Sequence, residues 1–169
     1  MLPALSTPVS LYLHIPFCRH RCAYCDFNTY AGQEQSIPAY VSALGREVEL
    51  VGRGARTALG ERLPTHTVFF GGGTPSLLSA GQFEILMRAI RRHFALAEQA
   101  EVSLEANPGT VTRQGLRELR RLGFDRISFG VQSSHAEELR QLERIHDFYE
   151  VIESVAWARQ AGFENLNLD

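Results

Sequence analysis

The stretch SLYLHIPFCRHRCAYC, residues 10–25, decides how the rest of the chain is read. Its first part, SLYLHI (10–15), reads as a β-strand. The loop that follows directly, CRHRCAYC (18–25), holds every cysteine of the chain: Cys18, Cys22 and Cys25. The spacing is Cys-x3-Cys-x2-Cys. Thiolates are soft ligands that select zinc, copper(I) or iron–sulfur clusters. A loop this compact can wrap a small cuboidal cluster and direct three thiolates at three of its irons. An ordinary four-iron cluster takes four cysteines, so three leave one iron for an exogenous ligand, much as catalytic zinc sites keep an open position. Two other readings stand beside this one. The cysteines could be buried apolar residues, against which stand their polar neighbours Arg19, His20 and Arg21. A Cys3His zinc site using His14 or His20 is also open, although structural zinc sites usually show paired Cys-x2-Cys knuckles.

The bulk of the sequence narrows the setting. Its 169 residues suit one domain with a real core. Apolar and charged fractions are those of an ordinary soluble globular protein. The formal net charge of -2 offers no basic field for DNA, RNA or anionic lipid, so no nucleic-acid partner is expected. The N-terminal MLPALSTPVS (1–10) lacks the charged and apolar regions of a signal peptide. No apolar run approaches the roughly 20 residues of a membrane span. An odd, clustered cysteine count is no disulfide scaffold, and the expected location is a reducing cytoplasm.

Outward from the cysteine loop, strand and helix alternate. Pro38 opens a helix with apolar positions Val41, Leu44 and Val48. A Gly- and Arg-rich connector, GRGARTALGERLP, leads to the strand THTVFF (65–70). Ser79 caps the next helix, whose buried stripe is Phe83, Leu86, Met87, Ile90 and Phe94. EVSLEA (101–106) is the third strand. Leu116, Leu119 and Leu122 mark a helix ended by Gly123. DRISFGV is the fourth strand. Asp147 and Glu150 form a capping box for a helix that Gly162 ends, and ENLNLD is the fifth strand. The segment LGFDRISF (122–129) is echoed by AGFENLNL (161–168), a repeated helix-Gly-Phe-acid-strand unit. Such βα repetition implies an α/β fold with a parallel sheet. Candidate site residues follow several different strands, which favours a curved or barrel sheet over a doubly wound one. A parallel sheet ending at Asp169 would leave its last strand bare. The chain is therefore expected to be the N-terminal part of a longer protein, truncated after the fifth strand.

The ordered set YLHIPFCRHRCAYCDFNTY, FFGGGTPSLL, EANPGT and ISFGVQSSHAEELRQLERIH resembles the radical S-adenosylmethionine (SAM) superfamily. Within it the chain resembles the oxygen-independent coproporphyrinogen III oxidase group, and there its heme-chaperone branch. The resemblance runs from Leu11 to Asp169. It implies a partial (β/α) barrel, with residues 1–169 as a radical SAM core domain that lacks the remainder of the barrel and a C-terminal domain. It implies a 4Fe-4S cluster on Cys18, Cys22 and Cys25. SAM would chelate the open iron through its amino and carboxylate groups, and an electron from the cluster would cleave the sulfonium to methionine and a 5′-deoxyadenosyl radical. Three thiols suffice because the fourth ligand is the substrate.

The same resemblance distributes the SAM-binding positions. Gly72, Gly73 and Thr74, in the GGGTP turn, match the segment that holds the amino group; glycines there let the backbone approach a ligand. Glu105, ending the third strand, can accept ribose hydroxyls or the ammonium. Gln132 offers an amide that donates and accepts. Arg144 can grip a carboxylate in a bidentate way. Asp169 can bind a ribose, Tyr12 matches a position lining the ligand, and Tyr24 one flanking the adenine. Taken alone, each is an unremarkable surface or turn residue; the ordered set makes the case. His93, His135 and His146 are read as surface or packing residues. Coproporphyrinogen oxidases of this group carry a further cysteine two residues after the third one, where this chain has Phe27. That departure argues against decarboxylation of a porphyrinogen and for heme as cargo, with an unidentified electron donor and heme acceptor protein.

Overall fold

The computed structural model describes residues 8–169; of the N-terminal stretch read as lacking a signal peptide, residues 1–7 lie outside the described part. The elements run β1 (Val9–Ile15), β2 (Phe17–Cys18), β3 (Tyr30–Ala31), α1 (Ile37–Leu59), β4 (Pro64–Gly72), α2 (Ala80–His93), β5 (Ala95–Ala106), α3 (Arg113–Leu122), β6 (Arg126–Phe129), α4 (Ala136–Gln141), α5 (Phe148–Ala161) and β7 (Asn165–Leu168). The main sheet has five parallel strands in the order β1-β4-β5-β6-β7. The order never reverses. Parallel crossovers are right-handed almost without exception, so winding in one direction puts every crossover helix on the same face. Accordingly α1 packs on α2, α2 on α3 and α3 on α5. This is an α/β fold with the winding of a partial (β/α) barrel, as the sequence led us to expect.

Strand alternation divides the sheet's two faces. Toward the helices point Leu13, Ile15, Val68, Phe70, Val102, Leu104, Ile127 and Phe129, all buried. Phe70, Phe83 and Phe124 form an aromatic knot there, with ring centroids 5.0–5.3 Å apart. The opposite, concave face carries Tyr12, His14, Phe69, Ser103, Glu105, Ser128 and Asn167. It is mostly polar, and the candidate site residues stand on it or at its upper edge.

Local signals mostly hold. Ser79 and Asp147 each form a capping box, with Gln82 and Glu150. Gly123 and Gly162 end their helices at positive φ. The Gly- and Arg-rich connector is different: α1 runs through it to Leu59 and stops at Gly60, φ +83°. Gly52 is a close-approach residue, because a Cβ there would lie 2.6 Å from the His93 Cβ of α2. Phe94, expected within the helical stripe, caps α2 from outside it and is still buried. The short helix α4 and the β2–β3 ribbon had no sequence signal. That ribbon pairs Phe17 with Tyr30 and Cys18 with Ala31, closing the cysteine loop at its base. Among the described residues no helix is long and apolar enough to cross a membrane.

Candidate cluster and cofactor cleft

The carboxyl ends of the strands converge on one cleft of about 140 Å³, open to solvent. From β2 comes Cys18, with Cys22, Tyr24 and Cys25 on the loop beyond it. From β4 come Gly72–Thr74, from β5 Glu105 and Asn107, from β6 Gly130 and Gln132, and from β7 Asp169. Arg144 reaches in from the segment after α4. Residues separated by as much as 151 positions thus share one wall (169 − 18).

The glycine turn is docked on the cysteine loop by its backbone. Gly73 N–H donates to Ile15 O at 2.8 Å, and Thr74 N–H to Phe17 O at 2.7 Å. A Cβ on Gly73 would sit 2.6 Å from Phe17 O and 3.0 Å from Cys18 Sγ. Gly72, at φ +117°, has no room either, since its Cβ would meet the His14 ring at 2.5 Å. Its N–H donates to Glu105 Oε2 at 2.9 Å. Burial pushes the Glu105 carboxyl above the usual carboxylate range; the Gly72 bond opposes this, Asp169 adds to it, and His14 opposes it.

All three cysteines are free thiols. Cys18 is buried, and burial raises its pKa against the opposing hydrogen bonds of Thr74 and Thr29. Thr74 Oγ1 donates to Cys18 Sγ at 3.5 Å, and Arg144 Nη1 donates to Cys22 Sγ at 3.4 Å. Cys25 Sγ lies 3.9 Å from Thr29 Oγ1. Among the described residues, no three His, Cys, Asp or Glu side chains come close enough to hold a single ion. One tetrahedral zinc, with Zn–S bonds of about 2.3 Å, would need its sulfurs within roughly 4 Å of one another. Thiolates that each bind a different iron of a cuboidal cluster stand farther apart. The nearby histidines are engaged as well. His14 Nε2 contacts Asn28 O at 2.9 Å and its Nδ1 the Tyr12 hydroxyl at 3.2 Å, while His20 Nε2 pairs with Glu143 at 3.3 Å. The donor set therefore fits a cluster better than a Cys3His zinc site.

Of the positions expected to bind SAM, Tyr24, Gly72, Gly73, Thr74, Glu105, Gln132, Arg144 and Asp169 line the cleft with the cysteines. Tyr12 stands apart from that wall. It lies on the concave face, its ring stacked on Phe69 at 5.8 Å, and burial followed by Glu105 raises its phenol pKa. Gly71 separates the two: a Cβ there would be 3.0 Å from the Tyr12 ring and 3.1 Å from Glu105 Oε2. Burial also raises the Tyr24 phenol, against the opposing charge of Arg144. Gln132 takes φ +68°, and its N–H donates to Asp169 O at 2.7 Å. Asp169 Oδ2 accepts from Ser128 Oγ at 2.9 Å. Three polar wall residues carry no expectation from the sequence: Asn107, Ser128 and Thr29. The signal for Asn107 is a polar amide directly beyond the carboxyl end of a strand, two residues after Glu105.

A parallel sheet wound in one direction, with three thiols gathered at its strand ends, defines a radical SAM core. The chain belongs to the Radical SAM superfamily, whose family model matches residues 12–169. It is 40% identical over 163 residues to the heme chaperone HemW of Escherichia coli strain K12, covering 96% of this chain and 42% of that protein. It is 37% identical over 164 residues to the oxygen-independent coproporphyrinogen III oxidase of Synechocystis, covering 96% of this chain and 34% of that protein. The solved structure of coproporphyrinogen III oxidase (HemN) from Escherichia coli, described as a radical SAM enzyme, superposes with a TM-score of 0.84 at 34% identity, covering 96% of this chain and 36% of that one. The chain thus spans between 34% and 42% of the length of these curated relatives.

Proposed function

We propose that residues 1–169 are the N-terminal part of a cytoplasmic, HemW-like heme chaperone: a radical SAM core that binds a 4Fe-4S cluster and SAM. The observation that supports this most is the docking of the Gly72–Thr74 turn on a loop of three free thiols, with Arg144 and Glu105 facing them across one cleft. Cys18, Cys22 and Cys25 hold the cluster. When bound, the cluster supplies the electron that breaks the sulfonium carbon–sulfur bond of SAM. The chain's own residues orient the ligand. Backbone groups of Gly72 and Gly73 meet its ammonium. Arg144 holds its carboxylate. Glu105 and Asp169 accept from the ribose hydroxyls, Gln132 supplies an amide, and Tyr24 flanks the adenine. Heme is the cargo, received and passed on with the help of an electron donor and an acceptor protein.

A second reading, coproporphyrinogen oxidase, is favoured by the relatives that carry that name. Phe27 stands against it. The enzymes of that group carry a cysteine at this position, and here a phenylalanine, 67% exposed, stands at the cleft. Positioning a substrate carbon against a radical tolerates little error; about 1 Å of misplacement can cost two orders of magnitude in rate. In the test, the full-length protein is reconstituted anaerobically and SAM is added. One cluster per chain is expected, with an electron paramagnetic resonance spectrum that SAM perturbs. Cys→Ser at any of the three positions should abolish the cluster, because serine is a poor soft-metal ligand. Incubation with coproporphyrinogen and a reductant should give no protoporphyrinogen, while heme binds. A protein that stays iron-free and zinc-loaded overturns the cluster, and turnover to protoporphyrinogen overturns the chaperone reading.

A further inference from the structure

Asn107 joins the two sides of the thiol loop through a hydrogen-bond relay whose direction is fixed. Arg144 Nη2 donates to Asn107 Oδ1 at 2.6 Å. A guanidinium has no acceptor, so this contact forces the amide oxygen toward Arg144 and the amide nitrogen away from it. Asn107 Nδ2 then donates to Thr74 Oγ1 at 3.2 Å. The Thr74 hydroxyl, already accepting, keeps its proton for Cys18 Sγ at 3.5 Å. At the other end Arg144 Nη1 donates to Cys22 Sγ at 3.4 Å. The amide thus helps aim two donors at two different thiols, sharing Arg144 with Gly130 O, which accepts from Nη2, and the Tyr24 hydroxyl, 3.4 Å from Nη1. The local chain is shaped for it. Asn107 O is anchored by Thr110 Oγ1 at 2.6 Å. At position 130 a side chain would wedge in, its Cβ 3.2 Å from Asn107 Oδ1 and 3.3 Å from Arg144 Nη2.

Resting on the cluster reading above, we propose that Asn107 is a positioning residue that sets the reduction potential of the cluster, by holding the Thr74 and Arg144 donors on the Cys18 and Cys22 sulfurs. Hydrogen bonds to ligating sulfur stabilise the more negative, reduced state and so raise the potential. Asn107 touches neither thiol, and acts through the two residues that do.

The test is the midpoint potential of the reconstituted full-length protein, read by electron paramagnetic resonance with iron content measured alongside. Asn107→Ala should make one-electron reduction about tenfold less favourable, a shift of about 59 mV in the negative direction. Thr74→Val should shift it the same way. The double variant should fall short of the sum, because the two residues serve one path. A wild-type midpoint in Asn107→Ala at full iron content overturns the proposal, and so does an additive double variant. If Asn107→Ala does not load, Asn107→Asp takes its place. Aspartate keeps the Arg144 contact but draws the Thr74 proton away from Cys18. Its shift should be larger than that of the same exchange in a Thr74→Val background, which carries the charge without the hydroxyl; equal shifts overturn the proposal. Failure of both variants to load would make Asn107 a residue the loop needs in order to form, and overturns it too. Failure of the wild type to load would instead count against the cluster itself.

Discussion

Gly73→Ala is the most economical probe of how the site is assembled. The added methyl would lie 2.6 Å from Phe17 O and 3.0 Å from both Ile15 O and Cys18 Sγ. Two of these atoms are backbone of β1 and β2 and the third is a thiol of the cysteine loop, so no flexible side chain can yield. Relief requires the Gly72–Thr74 turn to lift away from the loop. That movement strains the bonds from Gly73 N–H to Ile15 O and from Thr74 N–H to Phe17 O. Overpacking of this kind costs about 1–3 kcal/mol, and each weakened hydrogen bond adds about 1 kcal/mol at most. A loss of about 3 kcal/mol lowers the unfolding midpoint by about 6–12 °C for a domain of this size. Gly54→Ala is the matched control. Gly54 lies inside α1 with nothing within 4 Å of its Cβ position, so the same methyl should stabilise by up to about 1 kcal/mol. Thermal unfolding followed by circular dichroism reads both signs, and iron content after reconstitution should fall only in Gly73→Ala. A Gly73→Ala protein that unfolds and loads iron like the wild type would refute the docking of this turn on the thiol loop.

Two further substitutions separate the two faces of the sheet. Glu105→Gln keeps an acceptor for Gly72 N–H and removes the charge. The Glu105 carboxyl is raised in the folded state, so its contribution to stability is fully present below the unfolded carboxylate pKa and is lost as pH rises through the folded one. The variant should lack that loss, so its stability relative to wild type should climb between acid and neutral pH in denaturant titrations, while SAM perturbs its cluster spectrum more weakly. Phe124→Ala removes one ring of the aromatic knot, fully buried among Phe70 and Phe83; it should cost about 3–5 kcal/mol in the same titrations, with the SAM response unchanged wherever the protein is folded.

The order of βα units and four helix boundaries were legible in the sequence because each has a local cause, whereas the candidate cleft residues came only from the resemblance of the ordered motifs to the radical SAM superfamily. Capping boxes, glycines at helix ends and apolar periodicity act within a few residues. What escaped depends on contacts across the fold. Gly52 reads as a connector glycine, and only the approach of His93 shows that the helix must pass through it. The β2–β3 ribbon is two residues per strand, too short for any periodic signal. The relay through Asn107 links positions 74, 107 and 144, and no spacing rule joins two strand-end loops to the segment after α4. Pleat alternation sets Tyr12 on the concave face, its ring stacked on Phe69 and on the same side of the sheet as Glu105.

The concave face explains why function and stability can be separated in this fold. In a closed eight-stranded barrel the inner positions are packed with branched apolar residues. Here the inner positions of successive strands are Tyr12 and His14, then Phe69, then Ser103 and Glu105, then Ser128, then Asn167. Ser128 Oγ, Asn167 and Asp169 bond one another there instead of packing apolar surface. Such a wall contributes little by the hydrophobic effect, so the folding free energy has to come from the helix side, where Phe70, Phe83, Leu86, Ile90, Leu104 and Ile127 are fully buried. Because side chains alternate with a period of two, each strand supplies both faces: Leu104 to the core and Glu105 to the site, Ile127 to the core and Ser128 to the site. A one-residue slip of any strand would exchange the two sets, burying the site's acid and hydroxyl among phenylalanines and exposing core residues to the cleft. The core thus holds the register, and the register in turn places Glu105 at the glycine turn and Asp169 beside Ser128.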